Sequence, residues 1–206
     1  MTRPPFDPAS AADVATVSAQ LGRPARNVIG IAARCVCGAP TVVATAPRLE
    51  DGTPFPTLYY LSHPAATAAL SFLEATQVMN EYNQMLADDE DLRAHYRAAH
   101  ESFLQDREVI GVVPELAGVS SGGMPVRVKC LHALAAHSLA AGPGVNPLGD
   151  LAVERSSWSP DVCRCGDYLS EAGGDAAAAA ADGTAPSAAT GAGGVTAASS
   201  APPEAG

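Results

Sequence analysis

The chain has 206 residues, with 22 acidic and 12 basic side chains and a formal charge of −10, which excludes non-specific nucleic-acid binding because that requires a basic face. No apolar run approaches the ~20 residues that cross a bilayer, and the stretch from Met1 to Gln20, with two acids and no apolar core, is not a secretory leader. The chain therefore reads as cytoplasmic, where its five cysteines stay reduced, and an odd number argues further against a disulfide framework.

Ser10 to Leu21 suits a short helix, with Ser10 as N-cap, Asp13 at the capping-box position and Gly22 as the stop. Asn27 to Arg34 is β-branched and apolar and reads as a buried strand. Cys35 to Gly38 reads as a tight turn, and Thr41 to Ala46 and Thr57 to Leu61 as two further strands. Between these, Asp51-Gly52 marks a turn in a proline-rich loop, where Arg48, Asp51 and Thr53 either converge on a cleft or form a salt-bridged hairpin loop. The result is a small antiparallel sheet.

Helices follow. Pro64 suits the first position of a helix running to about Ala87, and the spacing of Ala65, Ala68, Phe72, Ala75, Met79, Tyr82 and Leu86 predicts one buried stripe. Glu74 and Glu81 then stand two turns apart as a solvated edge without an acid–base role. Asp88 or Asp89 caps a second helix, on which Leu92, Tyr96, Ala99 and Phe103 share a face. After the loop Ser120 to Gly123, a third helix from Pro125 to about Ala141 is apolar nearly all round and therefore central. Gly142-Pro143 ends it, Asn146 to Gly149 is a turn, and a closing segment containing Trp158 runs to Cys165. From Glu171 to Gly206 no aromatic residue, Leu or Ile is present, so this stretch cannot offset the entropy of ordering and reads as disordered. Its four acids leave about −6 on the rest of the chain. The expected fold is α+β: a small antiparallel sheet near the N-terminus packed against three main helices. Residues 1–25 are expected as an N-terminal extension, 26–169 as one globular domain and 170–206 as a disordered Ala/Gly/Ser-rich tail.

Four of the cysteines sit in two copies of one pattern, Cys35-Val36-Cys37-Gly38 and Cys163-Arg164-Cys165-Gly166. Residues two apart in extended chain point the same way, and the following glycine lets the backbone turn close to an ion. Two such pairs supply the four thiolates that zinc prefers, or those of an iron–sulfur cluster. The spacing is not the familiar C-x-x-C knuckle; the weight lies in the duplication. Cys130 is the alternate ligand. His132 would stand about 200° round from it in regular helix and so could not share its ion, while His137 is nearly in line but about 10 Å further along. The alternative is that Cys130, His132 and His137 are simply packed in the core.

Other chemistry is thinner. His100-Glu101 would open a zinc-protease helix, but the second histidine is replaced by Leu104. Gly122 and Gly123 precede the third helix, whose first turns carry Arg127 and Lys129; with Arg48 these form a candidate site for a small anionic ligand. The leading expectation is a zinc- or iron–sulfur-binding domain acting as a binding or regulatory module, with a protein or small anionic ligand as partner. The alternative is an enzyme acting on a phosphorylated or carboxylated small molecule, with Arg48, Asp51 and His132 as candidates for its chemistry.

Several longer strings carry a resemblance: Cys35 to Pro40, Pro47-Arg48-Leu49, Asp51 to Pro56 and Tyr59-Tyr60-Leu61. Ala99-His100-Glu101, Gly122 to Pro125, Arg127 to His132 and His137 to Asp150 continue it in order. Together they resemble a bacterial, mainly actinobacterial family, domain of unknown function family 501, over roughly Arg26 to Cys165. The resemblance implies one cytosolic domain that includes all three cysteine-bearing segments. It brings no assigned catalytic residues. Family members are typically encoded near a septum-formation-initiator-like protein and an exopolyphosphatase-type phosphatase, which implies a cell-division or envelope-linked scaffold as a further alternative.

Overall fold

The β-branched, apolar segments of the first third do pair. In the computed structural model, which describes residues 4–166, strands Asp7–Pro8 (β1), Val28–Arg34 (β2), Pro40–Thr45 (β3) and Tyr59–Leu61 (β4) form an antiparallel meander in that order. The expected tail lies outside the described residues. β3 is buried along its whole length, because the sheet is covered on both faces. On one face Val43 and its neighbour across the ladder, Ile31, meet Val17 of the helix Ala11–Leu21 (α1). On the other, Val42 and its partner Leu61 join the main core.

α1 follows its sequence signals. Ser10 Oγ accepts the Asp13 amide at 3.1 Å, Asp13 Oδ2 accepts the Ser10 amide at 3.0 Å, and Gly22 ends the helix with φ of 63°. Thus residues 7–21 are packed onto the sheet through β1 and α1. An Asp13–Arg34 ion pair at 2.6 Å ties α1 to the end of β2.

The single helix expected from Pro64 to Ala87 is two, Pro64–Ala75 (α2) and Val78–Asp88 (α3). Gln77 takes the left-handed conformation (φ 63°) between them, which resets the helical phase. The expected stripe holds in α3, where Tyr82 and Leu86 are buried, but fails in α2. There Ala66, Ala69, Leu70 and Leu73 face the core, and Phe72 is 69% exposed. Asp89 caps the next helix, Glu90–Ile110 (α4), accepting the Leu92 amide at 2.9 Å, and Tyr96, Ala99 and Phe103 are buried as expected.

The central helix starts late, at Leu131, and runs to Ala141 (α5). Residues 125–130 make other bonds instead. The Val128 amide donates to Asn83 Oδ1 at 2.8 Å, the Asn83 side-chain amide donates to the Val128 carbonyl at 3.1 Å, and the Lys129 amide donates to the Gly122 carbonyl at 2.7 Å. Gly123, at φ 96°, has no room for a side chain: a Cβ there would lie 2.4 Å from the Arg127 carbonyl oxygen. Asn146 is not part of a free turn but caps a further helix, Pro147–Arg155 (α6), its Oδ1 accepting the Gly149 amide at 3.0 Å. The fold is α+β, with α5 packed between the sheet and α2 and α6. The described residues form six α-helices, against three main helices and a short N-terminal one expected, and α5 and α1 are the ones that pack most on the sheet. Among the described residues no helix is long and apolar enough to cross a membrane.

Candidate metal centre

Two segments distant in sequence meet at one end of the sheet. The first is the tight β2–β3 turn, in which the Cys35 amide donates to Ala39 O at 2.9 Å and the Gly38 amide to Cys35 O at 2.7 Å. The left-handed Gly38 (φ 89°) closes it. The second is the closing segment after α6, seated by the buried Trp158. The Val36 amide donates to Pro160 O at 3.2 Å, which docks the tip of the hairpin on the closing segment.

This brings the Sγ atoms of Cys35, Cys37, Cys163 and Cys165 within 4.8 Å of one another. Cys37 and Cys165, 128 positions apart, approach to 3.4 Å, and none of the four is in a disulfide. Each pair contributes one buried sulfur, Cys35 or Cys165, and one exposed, Cys37 or Cys163. The Ala39 amide and the neighbouring Cys165 thiol hold the Cys37 thiol down at about 7, whereas burial pushes Cys35 up.

A fifth group belongs to this centre and was not legible as such. His63, the fully buried N-cap of α2, lies with Nε2 3.3 Å from Cys165 Sγ. Its Nδ1 accepts the Ala66 amide at 3.4 Å, so Nε2 carries the hydrogen and donates to the sulfur. Its ring also packs on Trp158, with centroids 5.5 Å apart. The one hint in the sequence is a histidine where Ser, Asp or Asn is the usual cap.

Cys130 is not among the four thiols. As N-cap of α5 it has extended backbone (φ −152°), not helical, so the 200° separation expected from His132 does not apply. Its Sγ lies 3.9 Å from His132 Nδ1, and with Glu74 the two form a separate group whose ligand atoms lie within 4.8 Å of one another. Cys130 and Glu74 draw His132 up to about 9 against its partial burial. Glu74, read as a solvated edge, instead accepts the Leu131 amide at 2.6 Å, while Glu81 pairs with Arg155 at 2.7 Å. His137 is in neither group: it is fully buried and stacked on Tyr59, centroids 5.8 Å apart.

The candidate anion site is not assembled from free donors. The amides of Arg127 and Lys129 donate to the carbonyls of Gly123 and Gly122, and the first amide of α5 is already held by Glu74. Both basic side chains are exposed. Arg48 is committed elsewhere, to Glu115 at 2.6 Å and to the Gly52 carbonyl at 2.8 Å, while Asp51 Oδ1 accepts the Thr53 amide at 2.9 Å. That is the salt-bridged loop. A groove of about 780 Å³ does lie beside the thiols, lined by Arg34, Asp150, Glu154, Trp158 and Asp161 among others, but it includes none of Arg48, Arg127 or Lys129.

No curated protein and no solved structure matches the chain. A family match covers residues 31–154, more than half of the sequence. It takes in Cys35, Cys37, Glu74, Cys130 and His132 and ends before the second thiol pair. On that match the chain belongs to the family described as protein of unknown function DUF501.

Proposed function

We propose that Cys35, Cys37, Cys163 and Cys165 hold one zinc ion that staples the β2–β3 hairpin to the closing segment. The domain then serves as a binding module that presents the groove beside the staple. The observation that carries this reading is the convergence of four cysteine sulfurs, from opposite ends of the fold, within 4.8 Å. A tetrahedral zinc with ~2.3 Å bonds separates its sulfurs by about 3.8 Å, which suits this spacing. An iron–sulfur cluster interposes further iron and sulfide and spreads its ligands more widely. Four thiolates leave zinc no open position, so its role is structural.

The groove suits a cationic partner better than an anionic one. Asp150, Glu154 and Asp161 line it, and its one basic side chain among the charged residues, Arg34, is already paired with Asp13. Metal analysis of purified protein tests the staple: relative to the parent, Cys37→Ser/Cys165→Ser should lose one equivalent of zinc, and the parent should be colourless. Unchanged zinc content in the double variant would sink the staple, and visible absorption bands removed by it would replace zinc with an iron–sulfur cluster.

A further inference from the structure

We infer that Glu74, Cys130 and His132 form a second metal site, separate from the four thiols, that takes a zinc-like divalent cation and leaves it an open coordination position. Three places in the fold build it. Glu74 comes from the last turn of α2, Cys130 from the extended N-cap of α5, and His132 from the first turn of that helix. One Glu74 carboxylate oxygen, the Cys130 sulfur and a His132 ring nitrogen lie within 4.8 Å of one another.

The tautomer of His132 is the key to the site. Its Nε2 lies 3.1 Å from the Thr67 carbonyl oxygen, which can only accept, so Nε2 carries a hydrogen. Ser71 Oγ stands 3.2 Å from the same nitrogen. The other nitrogen, Nδ1, therefore faces Glu74 Oε1 at 3.1 Å and Cys130 Sγ at 3.9 Å. In neutral imidazole this Nδ1 bears a lone pair, so three electron-rich atoms point at one another. A proton on Nδ1 relieves this as an ion pair with Glu74, and a metal ion in the proton's place would be held by all three atoms.

The surroundings fit the metal. A histidine that donates its remote N–H to a backbone carbonyl is the usual support for a metal-bound imidazole, and Thr67 supplies it. Glu74 Oε1 is itself fixed by the Leu131 amide at 2.6 Å. One sulfur, one nitrogen and one oxygen select a borderline cation over magnesium or calcium, which take oxygen alone. Three protein ligands are the pattern of open zinc sites. The Glu74 and His132 side chains are 25% and 24% exposed, so the vacant position faces solvent and is available to water or an anionic ligand.

The test is cadmium NMR on the full chain, because the cadmium shift moves strongly with the number of thiolate ligands. Protein loaded with two equivalents should give two resonances, one in the all-thiolate range and one well upfield of it. Glu74→Gln keeps an oxygen for the Leu131 amide, so α5 still starts correctly. This variant and Cys130→Ser should each remove the upfield resonance alone. Cys37→Ser/Cys165→Ser should remove only the downfield one, so failure of the four-thiol reading and failure of this one are told apart. In competition with a chromophoric chelator, His132→Ala should weaken the second zinc equivalent by roughly a hundredfold or more, beyond the 10–100-fold typical of outer-shell changes. A parent spectrum with no upfield resonance at two equivalents, or an upfield resonance indifferent to Glu74→Gln and Cys130→Ser, overturns the site.

Discussion

At the scale of single residues, His63 does two jobs with two nitrogens. Nδ1 caps α2 and Nε2–H donates to Cys165 Sγ at 3.3 Å. A donor to a ligating thiolate withdraws charge from the sulfur and fixes its direction. His63→Asn keeps a good N-cap but shortens the side chain, so it should lower zinc affinity at the thiols about 10–100-fold while leaving the melting temperature of metal-free, chelator-treated protein nearly unchanged. His63→Ala should add the lost cap, about 1 kcal/mol. Chelator competition beside thermal melts checks both, and equal zinc affinity in parent and Asn variant would confine His63 to helix capping. The contrast with the cysteines explains what was readable. The thiols announce themselves because two copies of one short pattern carry the same chemistry. His63 and Glu74 gain their roles only from approach across the fold, 102 positions from His63 to Cys165 and 57 from Glu74 to Leu131. No local pattern encodes those distances.

Among the secondary-structure elements, the readable ones are those whose signals are local and agree. The capping box of α1, the hairpin turn at Cys35 to Gly38 and the Asp89 cap of α4 all form where their residues say. The misjudged ones turn on bonds to other elements. Asn83 on α3 captures Val128 and keeps residues 125–130 out of the helix, and the left-handed Gln77 breaks a periodicity that reads as continuous. The same dependence on neighbours makes the α5–α6 contact the tightest test of packing. A Cβ on Gly149 would stand 2.2 Å from the Leu134 carbonyl oxygen, backbone against backbone. Gly149→Ala must push the two helices apart, at a cost of about 1–3 kcal/mol as for other overpacked sites. Denaturant unfolding should show this loss with both metal equivalents retained, since neither ligand set includes α6. A destabilisation below about 0.5 kcal/mol would mean that the helices slide at no cost.

Across the whole molecule, the closing segment is the weakly held part. Beyond α6 its buried side chains among the described residues are Trp158 and Cys165, and its backbone bond to the hairpin is the one from Val36 to Pro160. A metal at the thiols binds only the state in which residues 35 and 165 are together, so it stabilises that state by the logarithm of one plus the ratio of free metal to its dissociation constant. With zinc at a thousand times its dissociation constant the gain is about 4 kcal/mol. At roughly 2–4 °C per kcal/mol for a domain of this size, a strong chelator should lower the melting temperature by roughly 8–16 °C. The loss should also be ordered in space. Trp158, the single tryptophan of the chain, packs on His63 next to the thiols, so its emission should shift to the red at a lower temperature than the helical circular dichroism decays. In zinc-saturated protein the two probes should melt together. Coincident transitions that chelator leaves in place would mean that packing alone closes the fold.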